Sequence, residues 1–146
     1  MSFKPIFAKK IIEGSMDCEV RTFFKPLDRN DTIILYASSP MKSFIALFSP
    51  DKVFTGKYDD IVDYIRINCK KFDKDNWFFI RKHYMRSKRK LIAFKIANIE
   101  VFKHPIRLET IRSIYSRFKP PIGYTYIDKK LFETIVALAY EYRQSS

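Results

Sequence analysis

The chain has 146 residues, 47% of them hydrophobic, and 28 Lys and Arg stand against 16 Asp and Glu for a formal net charge of +12. That length fits one domain, residues 1–146, and is enough to bury a core; the apolar fraction excludes a disordered tail. A cation surplus of this size says nothing about fold, but it makes a polyanion, nucleic acid first, the expected partner.

The apolar runs are far shorter than the roughly 20 residues that cross a bilayer. Met1-Ser2-Phe3-Lys4-Pro5 also lacks the apolar centre of a signal peptide, so a soluble, cytoplasmic protein without a membrane partner is expected. Cys18 and Cys69 are too few and too isolated for a disulfide framework or a metal site. Core packing is the expected role for both, with a disulfide between them the lesser reading. His83 and His104 lack ligand spacing, and neither a Gly-rich phosphate loop nor a nucleophile elbow occurs, so no metal and no cofactor is expected. Oligomeric state cannot be read from the sequence.

In chain order, Pro5 suits the first turn of a helix and Gly14 the position just past its end. Met16 to Phe24 alternates as a strand, with Cys18, Val20 and Thr22 on one face and Asp17, Glu19, Arg21 and Phe23 on the other. Thr32 to Ala37 is a continuous apolar run, as in a strand buried on both faces. Lys42 to Phe48 predicts a further strand, ended by Ser49-Pro50. Tyr58 to Asn68 predicts a helix with acids in its first turn. A second helix, capped by Asp73 or Asp75, carries Trp77, Phe78, Ile80 and Tyr84, with Trp77 and Phe78 expected in packing. Lys90 to Lys103 predicts a long strand ended by His104-Pro105, and Leu108 to Tyr115 a short helix. Asp128 caps a last helix with Leu131, Ile135, Leu138 and Tyr142 on one side. Strands joined this closely leave no room for crossover helices. The expectation is an α+β fold, a small and mostly antiparallel barrel with helices packed outside.

Three groups of residues stand out. Glu19 and Arg21 share a strand face, where Arg21 offers a planar donor fork to a base edge or phosphate and Glu19 accepts from an exocyclic amine or orients the fork. Ser38, Ser39 and Lys42 lie around a turn whose hydroxyls and backbone N–H groups suit a phosphate or base. Arg81, Lys82, Arg86, Lys88, Arg89 and Lys90 place six cations within ten residues, and no acid occurs between Asp75 and Glu100. With Tyr84 and His83 interleaved, that run suits a groove that follows a nucleic-acid backbone and stacks bases.

Gly14, Glu19 and Arg21 match the first motif of the ASCH family, a branch of the PUA-like superfamily, which reads glycine, any, lysine, any, any, glutamate, any, arginine. Met16 stands where that motif has lysine. Tyr36-Ala37-Ser38-Ser39-Pro40-Met41-Lys42 resembles the family's second segment. Pro120-Pro121-Ile122-Gly123-Tyr124-Thr125-Tyr126 resembles its ending in archaeal-type members. The resemblance implies a PUA-like pseudobarrel, a cleft shared by Glu19, Arg21, Ser38, Ser39 and Lys42, and Tyr124 and Tyr126 near the ligand. It also implies RNA or single-stranded nucleic acid, single-stranded DNA included, as the partner. Some members are hydrolases; the branch that deacylates modified cytidine depends on the motif lysine, and a thioether at position 16 is neither base nor nucleophile. Binding is therefore the first reading. A ribonuclease using Glu19, with His83 or His104, is the alternative, and a module for an acidic protein partner is the third.

Overall fold

The structure, a computed structural model, describes residues 1–140. Its elements run β1 (Ser2–Phe3), α1 (Pro5–Glu13), β2 (Cys18–Thr22), β3 (Ile33–Ala37), β4 (Ser43–Gly56), α2 (Tyr58–Asn68), α3 (Lys74–Tyr84), β5 (Leu91–Arg107), α4 (Leu108–Ile114) and α5 (Lys129–Tyr140). The strands form one mostly antiparallel sheet in the order β1-β3-β4-β5-β2. β1 lies parallel to β3, with Ser2 opposite Tyr36, and β2 lies antiparallel to β5, with Cys18 opposite Lys95 and Thr22 opposite Leu91. The sheet has two ends, β1 and β2, so the α+β expectation holds while the closed barrel does not: five strands pair in a row without the first meeting the last.

The residues fall into two compact units. The first comprises, among the described residues, Met1–Ile12, Ile33–Leu47 and the chain from Ile99 onward. All five residues of β3 are buried, as its unbroken apolar sequence requires. Ile34, Tyr36 and Phe44 pack with Phe102, Ile106 and Ile111, and α5 adds Leu131, Ile135 and Ala139, one residue per turn. Asp128 starts α5 by accepting from the Leu131 N–H at 2.8 Å. Tyr142, expected on the same helix face, lies outside the described residues.

The second unit comprises Glu13–Thr32 and Phe48–Asn98. Val20, Leu91 and Ala93 pack against Ile61, Tyr64 and Ile65 of α2 and Ile80 of α3. The Asp60 carboxylate accepts from the Lys57 N–H at 3.2 Å, and Asp73, not Asp75, caps α3 through the Asn76 N–H at 3.0 Å. Burial of the Tyr64 hydroxyl, with Asp51 and Asp17 nearby, pushes its pKa up to about 12. The neutral phenol is thus favoured in the folded state. Its contribution to stability is complete below pH 10 and is lost as pH rises from 10 through about 12. Denaturant midpoints measured across that window are expected to fall in the wild type and to flatten in Tyr64→Phe. Parallel slopes for the two would remove Tyr64 as the cause.

Three sequence expectations need correction. β4 continues through Ser49-Pro50 to Gly56, and β5 through His104-Pro105 to Arg107. A proline withholds only its own N–H, so a strand passes through one where that donor is not used; positive φ at Lys52 and Asn98 supplies local bends in both long strands. The two-residue β1 is too short to leave a periodic signal. Cys18 and Cys69 form a disulfide with Cα atoms 6.0 Å apart, across 51 residues of chain. A link closing a loop of that length stabilises by about 2–4 kcal/mol. Cys69→Ser should lower the unfolding free energy by that amount relative to oxidised wild type in urea titrations, and should leave reduced wild type nearly unchanged.

Candidate nucleic-acid interface

In the second unit, strand alternation turns Cys18 and Val20 into the core and leaves Glu19 and Arg21 on the opposite face. The pair is more enclosed than a surface ion pair, with 13% of the Glu19 side chain and 20% of the Arg21 side chain exposed. Glu19 Oε1 accepts from the Val20 N–H at 2.9 Å, and Oε2 accepts from Arg21 Nε at 3.2 Å and Nη2 at 3.0 Å. A carboxylate so placed holds the guanidinium plane in one orientation. That is the geometry a fixed fork needs to read a planar acceptor pair.

The pairing of β2 with β5 joins this pair to the acid-free run. Arg21 stands opposite Ile92, and one step beyond the strand the Phe23 N–H donates to the Lys90 carbonyl at 2.9 Å. The Lys90 ammonium lies 4.3 Å from the Phe23 ring centroid, a cation–π contact. Tyr84, at the end of α3, places its hydroxyl 3.4 Å from the Val20 carbonyl. Burial raises its pKa first, and the Glu19 carboxylate raises it further while Arg21 acts in the opposite direction, so the phenol shares the electrostatic neighbourhood of both. It is half-buried against the core of the unit and forms a wall near the pair rather than an open platform.

Arg81 and Lys82 on the last turn of α3, and Arg86, Lys88, Arg89 and Lys90 beyond it, are all exposed. The connecting turn is fastened by the Ser87 N–H on the Tyr84 carbonyl at 3.0 Å and the Arg89 N–H on Ser87 Oγ at 3.1 Å. His83 lies with its ring centroid 4.1 Å from that of Phe79. Phe78, expected in the core, is 58% exposed: two residues from both Asn76 and Ile80, it falls on the side of α3 opposite the stripe that faces inward. Met16, at the position of the family lysine, is buried, and its sulfur accepts from Asn76 Nδ2 at 3.0 Å. Position 16 is thus spent on packing. Asn76 carries no pattern in the sequence that marks it.

Ser38, Ser39 and Lys42 lie in the first unit, as do Tyr124 and Tyr126. The Ser38 N–H donates to the Phe3 carbonyl at 2.9 Å, and the Met41 and Lys42 N–H groups both reach the Ser38 carbonyl, at 3.1 and 3.4 Å. These three backbone donors are committed within the protein and do not reach outward as the turn reading supposed. The exposed residues of the loop are Ser39, Pro40, Met41 and Lys42, with Lys42 at φ 45°. Beneath it Tyr36 is buried, which raises its pKa, and Arg112 pulls the other way. Tyr124 and Tyr126 are exposed and meet edge to face at 6.0 Å, on a loop whose Gly123 carbonyl accepts from the Ser2 N–H at 2.8 Å.

Among the described residues no helix is long and apolar enough to cross a membrane. No family model matches the chain. It is 25% identical over 138 residues to the ASCH domain-containing ribonuclease of Zymomonas mobilis, covering 94% of this chain and 89% of that protein. The crystal structure of ASCH from Zymomonas mobilis superposes with a TM-score of 0.79 at 25% identity, over 94% of this chain and 92% of that one. The N-terminal domain of Staphylothermus marinus McrB shares the fold more distantly, with a TM-score of 0.51 and 21% identity over 71% of this chain and 67% of that one. In sequence and in fold alike the similarity runs along nearly the whole of both chains, and it supports reading this chain as an ASCH domain.

Proposed function

We propose that this protein binds RNA through the second unit. Arg21, held by Glu19, supplies the oriented fork, and Arg81, Lys82, Arg86, Lys88, Arg89 and Lys90 follow the backbone, with Tyr84 as the inner wall. The observation that carries this reading is the juncture of two signals distant in sequence: the Phe23–Lys90 backbone bond seats the acid-free run beside the Glu19–Arg21 pair. Ser38, Ser39, Lys42, Tyr124 and Tyr126 are further candidate contacts, belonging to the first unit. RNA is favoured over single-stranded DNA because the Zymomonas mobilis relative is named a ribonuclease.

That name also supports a second reading, in which bound RNA is cleaved. Glu19 is the carboxylate available to such chemistry. Both Arg21 donors fall on Oε2 and Oε1 accepts the Val20 N–H, so Oε1, with acceptor capacity left, is the oxygen for proton transfer.

Binding of labelled single-stranded RNA, the matching DNA and a duplex across a salt series, with RNA length checked on a gel from the same samples, tests both. Six phosphate contacts to a single strand give a log–log salt slope of about −4. A slope near zero, or no binding at low salt, removes the nucleic-acid reading. Shortened RNA that stays intact with Glu19→Gln establishes hydrolysis, and cleavage that persists in the variant assigns it elsewhere.

A further inference from the structure

The Cys18–Cys69 bond sits one strand residue from Glu19 and is accompanied by Asp17. The donor atoms of Asp17, Cys18 and Cys69 all lie within 4.8 Å of one another. Two thiolates and a carboxylate are ligands that Zn²⁺ accepts, with metal–ligand distances of about 2.0–2.3 Å, which puts neighbouring tetrahedral donors about 3.5–3.8 Å apart. The two sulfurs, bonded to each other here, part to that spacing on reduction, with the Asp17 carboxylate already beside them.

The backbones that carry the three residues are fixed independently of the disulfide. Cys18 pairs with Lys95 in the β2–β5 ladder, and the Ile96 N–H donates to the Asp17 carbonyl at 2.9 Å. The Cys69 N–H donates to the Ile65 carbonyl at 2.9 Å as α2 ends. The Asp17 carboxylate accepts one N–H on each oxygen, from Lys70 at 3.1 Å and Lys71 at 3.2 Å. A carboxylate has about four acceptor sites, so each oxygen keeps a lone pair while the amides hold its direction, as supporting groups around metal ligands do.

We propose that, when reduced, Asp17, Cys18 and Cys69 bind a thiophilic divalent cation, Zn²⁺ being the best match, so that this junction exists either as a disulfide or as a three-ligand metal site. The exchange balances with a dithiol reductant. Its thiolate attacks the half-buried Cys69 sulfur, since Cys18 is fully enclosed. Cys18 leaves as thiolate, the second reductant thiolate displaces Cys69, and the reductant departs as its own disulfide. The cation then takes the two sulfurs as thiolates, displacing any protons they carry, and a solvent molecule fills the fourth position.

The test titrates the full chain, reduced with a phosphine that is then removed, with Co²⁺ as an optical stand-in for Zn²⁺. A sulfur-to-cobalt charge-transfer band saturating at one ion per chain is expected, absent from the oxidised protein and reversed by Zn²⁺. Cys69→Ser should lose the band, and Asp17→Asn should weaken binding at least tenfold. Circular dichroism on the same samples verifies folding. If Cys69→Ser does not fold, reduced wild type alkylated at its accessible thiol replaces it. No thiolate band in reduced wild type, a band unchanged by blocking Cys69, or full affinity in Asp17→Asn would each overturn the site.

Discussion

Replacing Arg86, Lys88 and Arg89 together by alanine is expected to cut RNA affinity by about fifty-fold at 0.15 M salt and by roughly several hundred-fold at 0.05 M. Counterion release sets the size of this loss. Each phosphate contact to a single strand contributes about 0.7 to the log–log salt slope, so three contribute about 2, and that difference widens as salt falls. All three side chains are exposed and lie in a stretch without acids, so their removal leaves no buried group unpaired and the fold should be untouched. Fluorescence anisotropy against salt, for several unrelated sequences, measures it. The loss should be alike for every sequence, because phosphates carry no sequence information. An unchanged slope would take this run out of the interface.

Arg21→Ala is expected to act differently. The Glu19 carboxylate is largely enclosed and loses two donors on one oxygen, which costs about 1–3 kcal/mol of stability. In binding, removal of an oriented fork from a base edge costs about 1–3 kcal/mol, and the cost falls unevenly among sequences. The preferred RNA should therefore lose about five- to a hundred-fold while poor ligands lose little. Arg21→Lys keeps the charge but not the planar fork, so it should recover general binding without recovering preference. A uniform loss across all ligands in both variants would make Arg21 a phosphate contact only.

Where local chemistry decides the structure, the sequence was readable. Pro5 and Gly14 bracket α1, with Gly14 at φ +77°. Asp73 and Asp128 cap the helices assigned to them. The alternation in β2 put Glu19 and Arg21 on one face, and the apolar run 33–37 became the fully buried β3. Failures arose where long-range contacts outweigh local signals. Prolines at 50 and 105 read as stops yet sit inside strands. The Cys18–Cys69 bond depends on α2 ending against the residue that follows Asp17, and no spacing rule contains that. Of the candidate site, the residue types and their two stretches of chain were visible in the sequence. The Lys90–Phe23 bond was not, because it is a consequence of register between strands about 70 residues apart.

The composition of the two units also bears on the order in which the chain acquires structure during synthesis. Every residue of the second unit has been made once Asn98 is added. The first unit draws its opening segment from Met1–Ile12 and the rest of its core from residues as late as Ala139, so Ser2, which donates to Gly123, waits for more than half the chain. At about 5–20 residues per second that delay is on the order of ten seconds. Proteolysis of ribosome-stalled chains of increasing length should therefore find protection over residues 13–32 and 48–98 before the N-terminal segment, whose β3 partner is by then made but whose Gly123 acceptor and α5 packing are not.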